Sequence, residues 1–177
     1  MAFSMHRISA PVFGQMLANL DYIFEQATAF VAEHSLDEAV LMQRRLAPDM
    51  FTLGQQVLWL CEHSAVAMAR LANLAPPDLA TEPDTNIASA RKRISVAREF
   101  IGAITQDQLE GDPDRPITLK VRLGEVTFPA QEYLIHFAKP HFYFHTVTAY
   151  DILRAEGVNI GKIDYLGAIM KERISAK

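Results

Sequence analysis

Two histidines, His141 and His145, stand four residues apart in the stretch FPAQEYLIHFAKPHFYFHTVTAYDILRAEG, Phe128 to Gly157. Residues at this spacing lie above one another on a helix face. Both imidazoles can then reach one divalent metal ion. A third ligand from another helix would leave one coordination position open to water or substrate, as in catalytic rather than structural zinc sites. His63 lies in a different apolar-periodic segment and can supply that ligand. Imidazole ligands suit zinc, nickel, iron and manganese alike, so the residue types do not choose among these metals. Such an ion acidifies a bound water or thiol and polarises a substrate oxygen. The plainer reading is that the histidines are hydrogen-bonded core residues. No His-Glu-x-x-His pattern supplies a general base. Glu62 and Asp151 are the nearest carboxylates in sequence, and nothing in the spacing places either one; catalytic residues therefore stay unknown.

The element that must carry the pair is read as one long helix from Phe128 to Gly157, kinked or restarted at Pro140, which cannot donate a backbone hydrogen bond. Leu134, Phe137, His141, His145, Thr148 and Ile152 form its inward stripe. His136 falls about 140° around from His141 and is a bystander. Phe142, Tyr143 and Phe144 are read as packing residues; Phe142 and Phe144, if outward, could serve a partner subunit, and a homodimer is expected.

Upstream, Ser9-Ala10-Pro11 opens a helix, and Phe13, Met16, Leu17, Leu20, Ile23, Phe24, Ala27, Phe30 and Val31 give it an apolar face up to His34. Ser35-Leu36-Asp37-Glu38 fits a capping box before a short helix. Thr52 to Asn73 is the next long helix, buried through Leu53, Val57, Leu60, Cys61, Ser64, Met68 and Leu71, with His63 at the edge of that stripe. A fourth runs from Thr85 to Ile104 on Ile87, Ile94, Ile101 and Ile104. Its Arg91, Lys92, Arg93, Arg98 and Glu99 are read as solvated charges. Then the period becomes two: Ile117, Leu119, Val121 and Leu123 alternate with polar residues, Gly124-Glu125 makes the turn and Val126 to Phe128 returns. After Gly157, Val158 to Gly167 forms a tail along the outside, with Lys162-x-Asp164 facing solvent. The expected fold is all-α: a four-helix bundle with a short β-hairpin before the last long helix, one domain over residues 1–177.

Composition narrows the function classes. Half of the 177 residues are hydrophobic and 21% are charged, which describes a folded chain with a core. A net charge of −4 argues against nucleic-acid binding, which needs a basic face. No apolar run approaches a membrane span. The start MAFSMHRISAPVF lacks the order of a signal peptide. The single cysteine, Cys61, excludes an internal disulfide and fits a reducing compartment, so a cytoplasmic protein is expected. Cys61 lies two residues from His63, on a different helix face, and is read as a buried inert thiol.

A histidine in Cys61-Glu62-His63, a later His141-x-x-x-His145, then Tyr150 to Leu153 and a turn at Gly157-Val158 resemble the DinB/YfiT-like superfamily of four-helix metalloproteins, over Pro11 to Gly157. Arg45-Leu46-Ala47-Pro48-Asp49-Met50, Phe142-Tyr143-Phe144-His145 with Ala149-Tyr150, and Gly161-Lys162-x-Asp164-Tyr165-Leu166-Gly167 resemble an uncharacterised bacterial and fungal branch of it. The resemblance implies a DinB-like bundle, with His63, His141 and His145 as ligands of a divalent metal. Characterised members of that superfamily include thiol-dependent transferases and isomerases; with an ion that activates water or a thiol, the expected reaction here is that of a hydrolase or a thiol-dependent transferase, acting on a small molecule or with a thiol cofactor. In the narrower branch the position of His141 is often another residue, and Pro140 sits just before it. The competing expectation is a metal-free helical binding or interaction protein.

Overall fold

The structure, a computed structural model, describes residues 4–121 and 124–175. Four long helices carry the fold: α1 (Ala10–His34), α3 (Leu53–Ala72), α4 (Ile87–Ala103) and α7 (Lys139–Ala155). Short helices α2 (Glu38–Met42) and α5 (Gln106–Leu109) lie between them, and α6 (Ala130–Glu132) precedes α7. Strands β1 (Pro116–Val121) and β2 (Gly124–Pro129) pair antiparallel as a two-stranded hairpin. α8 (Lys162–Leu166) and α9 (Ala168–Ser175) complete the described chain. α1 packs along α4, α4 along α3 and α3 along α7, with a lighter α1 to α7 contact closing the bundle. Buried apolar residues of all four helices form one core cluster. No helix of the described residues is long and apolar enough to cross a membrane.

The helix ends follow local chemistry. Thr52 and Gln55 form a reciprocal capping box at the start of α3, and Asn86 caps α4 by accepting from the Ser89 N–H. The capping box expected at Ser35 is not formed. Ser35 instead adopts the left-handed conformation that closes α1, and Asp37 caps α2 by accepting from the Ala39 N–H. The hairpin also corrects the expectation: Gly124 pairs with Val121 and Glu125 with Lys120, so Gly124-Glu125 is strand rather than turn. Arg122 and Leu123, between them, lie outside the described residues. Ile117 and Leu119 point into the core, whereas Val121 is exposed.

Two charges expected in solvent are tied down. Arg91 is held by Asp21 of α1 at 2.7 Å. Arg93 is buried and paired with buried Asp84 at 2.7 Å, and it also donates to the carbonyls of Ala80 and Glu82. This guanidinium therefore clasps the 80–84 loop onto the bundle. Phe142 is likewise inward, edge-on to Phe13 with ring centroids 4.8 Å apart, so only Phe144 of that pair faces out.

The tail is partly helical and docks on α1. Asn19 of α1 donates to the Tyr165 carbonyl at 3.0 Å, while Asp164 accepts from the Gly161 N–H at 2.8 Å and so starts α8. Gly167 has φ +73° and ψ −159°, a region only glycine enters easily, and an added Cβ would fall 1.8 Å from the Asn19 amide oxygen. Gly167→Ala is expected to lower stability by about 1–3 kcal/mol, from backbone strain alone before the clash is counted. Urea unfolding of the variant beside the wild type measures it.

Candidate metal centre

His141 and His145 come from α7, and the segment before α7 is not α-helical. Tyr133–Ala138 forms a π-helical stretch in which the Lys139 N–H donates five residues back, to the Leu134 carbonyl. Pro140, in the first turn of α7, cannot donate, so the ladder is interrupted here in any case. The long helix expected from Phe128 is thus a short helix, a wide turn and α7. His63 projects from α3, which α7 faces.

The three imidazoles converge at this seam. The His63 ring centroid lies 5.3 Å from that of His141 and 5.4 Å from that of His145. Metal–nitrogen bonds of about 2.0–2.1 Å with tetrahedral angles put coordinated imidazole centroids roughly 5 Å apart. The two spacings from His63 are of that size. The donor nitrogens are not yet gathered: among the described residues, no three His, Cys, Asp or Glu side chains are grouped so that they could hold a metal ion.

Two of the rings are anchored. His141 Nδ1 lies 2.9 Å from the Phe137 carbonyl, which can only accept, so Nδ1 carries the proton. His145 Nδ1 lies 2.7 Å from Gln56 Oε1. The Gln56 amide donates through Nε2 to the Phe51 carbonyl at 3.3 Å, which turns its oxygen toward His145. Neutral His145 therefore has its proton on Nδ1 and its lone pair on Nε2. A second-sphere acceptor of this kind fixes tautomer and orientation in metal-bound histidines. Gln56 was not singled out from sequence. The signal was present: Leu53, Gln56, Leu60 and His63 follow the same three-and-four spacing, so Gln56 is a polar residue on a buried line.

Burial disfavours the charged forms of His63 and His145. The His63 pKa is lowered to about 4 by burial first, then by His145, His141 and Arg70. The His145 pKa is lowered to about 4 by burial, then by His141. Both are more basic in the unfolded chain, near 6.5. Between those values the unfolded chain binds more protons, so stability falls as pH falls. The urea midpoint of metal-free protein is expected to hold from pH 8 to 7 and to drop between pH 6.5 and 4. A midpoint that stays level through that window would contradict the burial of these rings.

Aromatic rings frame the histidines. Trp59 stacks on His63 at 5.4 Å, Phe51 on Trp59 at 6.0 Å, and Phe137 packs against His141 at 4.2 Å. Phe51 and Phe144 are exposed at the rim. The flagged carboxylates are elsewhere. Glu62 lines a separate hollow with Leu58, Val66 and residues 76–81, and Asp151 is exposed on the side of Tyr165. His136 is exposed and pairs with Glu132 at 3.0 Å, away from the seam. Cys61 is fully buried, and burial pushes its thiol far above the usual range, so it is not a nucleophile.

The family described as a domain of unknown function, DUF1993, matches residues 5–166. The chain belongs to this family. The DUF1993 chain is also similar, at 34% identity, to a DinB family member protein from Shewanella denitrificans known from a crystal structure. The two superpose with a TM-score of 0.85 over 92% of each chain. The protein is thus DinB-like in fold, with its hairpin before the last long helix. No curated protein matches it.

Proposed function

We propose that this DinB-like protein is a small metal-dependent enzyme in which His63, His141 and His145 hold one divalent ion. The observation that carries the reading is the anchoring of two rings by Nδ1 donation, to Phe137 and to Gln56, beside a third ring at 5.3 and 5.4 Å. Closing the set requires the rings to turn so that their donor nitrogens gather, with His63 already at 5.3 and 5.4 Å from the other two rings. Zinc, nickel, iron and manganese all suit the donors. Such an ion, when bound, supplies Lewis acidity that acidifies a water or a thiol and polarises a substrate oxygen. The chain's own part is to hold two tautomers fixed, keep His63 and His145 neutral and line the approach with apolar rings. Hydrolysis and thiol-dependent group transfer are the reaction classes consistent with a centre whose anchored rings bond, among the described residues, to a carbonyl and an amide rather than to a carboxylate.

The second reading is a metal-free helical binding protein, and the ungathered donor nitrogens favour it. Elemental analysis of tag-free protein separates the two. About one zinc, nickel, iron or manganese ion per chain supports the enzyme. None in the wild type, even after incubation with each ion, eliminates it and leaves the binding protein.

A further inference from the structure

Arg70 lies seven residues after His63 on α3, about 10.5 Å along the same helix face. Its guanidinium is exposed, donates to the Tyr133 hydroxyl at 3.3 Å and has no carboxylate partner among the described residues. The nearby Glu132 is turned to His136 instead, and Arg115, the other guanidinium at this end, is spent on the carbonyls of Arg70 and Leu71. Between Arg70 and the histidines runs a wall of rings. Tyr133 stacks on Phe137 at 5.7 Å, Phe128 lies 5.9 Å from Phe137, and Phe137 meets His141. Tyr133 is fully buried, so it positions the guanidinium, while Phe137 and Phe128 are only partly covered. A planar cation at one end of an apolar seam, with the histidines at the other, is the pattern of a site for an amphiphilic anion.

We infer that the seam between α3 and α7 takes a small organic anion, a carboxylate or a phosphate ester, with its charge on Arg70 and its flat apolar body along Phe137. The far end of such a molecule then reaches the histidines. This deepens the metal-enzyme reading and rests on it for the chemistry, though not for the binding. It makes the substrate an anion about as long as one seven-residue stretch of helix, and makes Arg70 a specificity residue.

The test is calorimetric titration of metal-free and zinc-loaded protein with 4-phenylbutyrate, its neutral amide and phenyl phosphate. The expected result is that an anion binds at least tenfold more tightly than the amide. Arg70→Gln should weaken that anion by about tenfold to a hundredfold, the range for a charge-assisted hydrogen bond, and leave the amide unchanged. Arg70→Lys should restore part of the preference, because it keeps the charge and loses the fork. Phenyl phosphate shows which anion the fork prefers; loss of either in Arg70→Gln supports the site. Equal binding of anion and amide, no binding of either anion at millimolar concentration, or a preference that survives Arg70→Gln overturns it. A preference that survives Arg70→Gln yet vanishes on chelation places the anion on the metal instead. Zinc content is scored separately in each sample. A wild type that takes up no zinc defeats the metal reading, while the metal-free titrations still decide the role of Arg70.

Discussion

His145→Ala should take the protein from about one divalent ion per chain to none that survives desalting. The reason is geometric. Removing one of three imidazoles leaves two protein ligands, below the three that catalytic sites of this kind use. The wild type with zinc at a hundredfold excess over its dissociation constant gains about 2.7 kcal/mol of stability by mass action, and the variant gains nothing. Metal content by elemental analysis and the zinc-induced shift in thermal midpoint read the two effects independently. Gln56→Leu is the finer probe. It keeps all three histidines and removes only the oxygen that holds His145 Nδ1. Second-sphere losses of this type weaken metal binding by about tenfold to a hundredfold. If the histidines are only packed core residues, His145→Ala costs packing energy alone, and Gln56→Leu has no metal affinity to change.

The contrast between His145 and Gln56 shows what the sequence reveals and what it withholds. The four long helices are legible because an apolar residue at every third or fourth position has few other solutions. The histidine pair is legible from its spacing on such a face. His63 is legible as a donor on another helix, and more so through the family likeness. The bonds that orient these rings are not, because Gln56 and His145 are 89 residues apart and no local period links them. The same limit applies to Pro140. Its missing N–H announces an interruption, but a kink, a restart and a wide π turn all answer that demand, and the choice depends on what packs against Tyr133 and Phe137. In the hairpin the alternation is visible, while the register needs the partner strand, so the sequence alone reads as turn the Gly124-Glu125 pair that the register makes strand. Arg93 misled for a different reason. It stands in a run of charged residues beside Arg91 and Lys92, and only the folding back of the 80–84 loop makes it a core residue.

That loop gives the largest expected change in stability. Arg93→Met should cost about 3–5 kcal/mol, because it leaves the Asp84 carboxylate buried without its counter-charge. The two side chains are 6% and 3% exposed, so water cannot take over. Asp84→Asn should cost less: the amide oxygen still accepts from the guanidinium, and Arg93 keeps the carbonyls of Ala80 and Glu82. Replacing both, as Arg93→Met with Asp84→Leu, should recover much of the loss, since a buried ion pair replaced whole by apolar groups is often near neutral. It should not recover all of it. Two loop carbonyls lose their donor, and the loop is pressed onto α3, where an added Cβ on Gly54 would meet the Asp84 carbonyl at 2.1 Å. Urea midpoints should therefore rank wild type, Asp84→Asn, the double variant and Arg93→Met, from most to least stable. A double variant as unstable as Arg93→Met would mean that the loop carbonyls, rather than the charge pair, dominate the clasp. Metal content should not follow this ranking in variants that remain folded. The clasp acts through α4 and the Asp84 side of α3, whereas the histidines hang on Gln56, Phe137 and the seam with α7. Stability and metal loading should thus be separable, and a variant that changes one without the other would locate the device it has damaged.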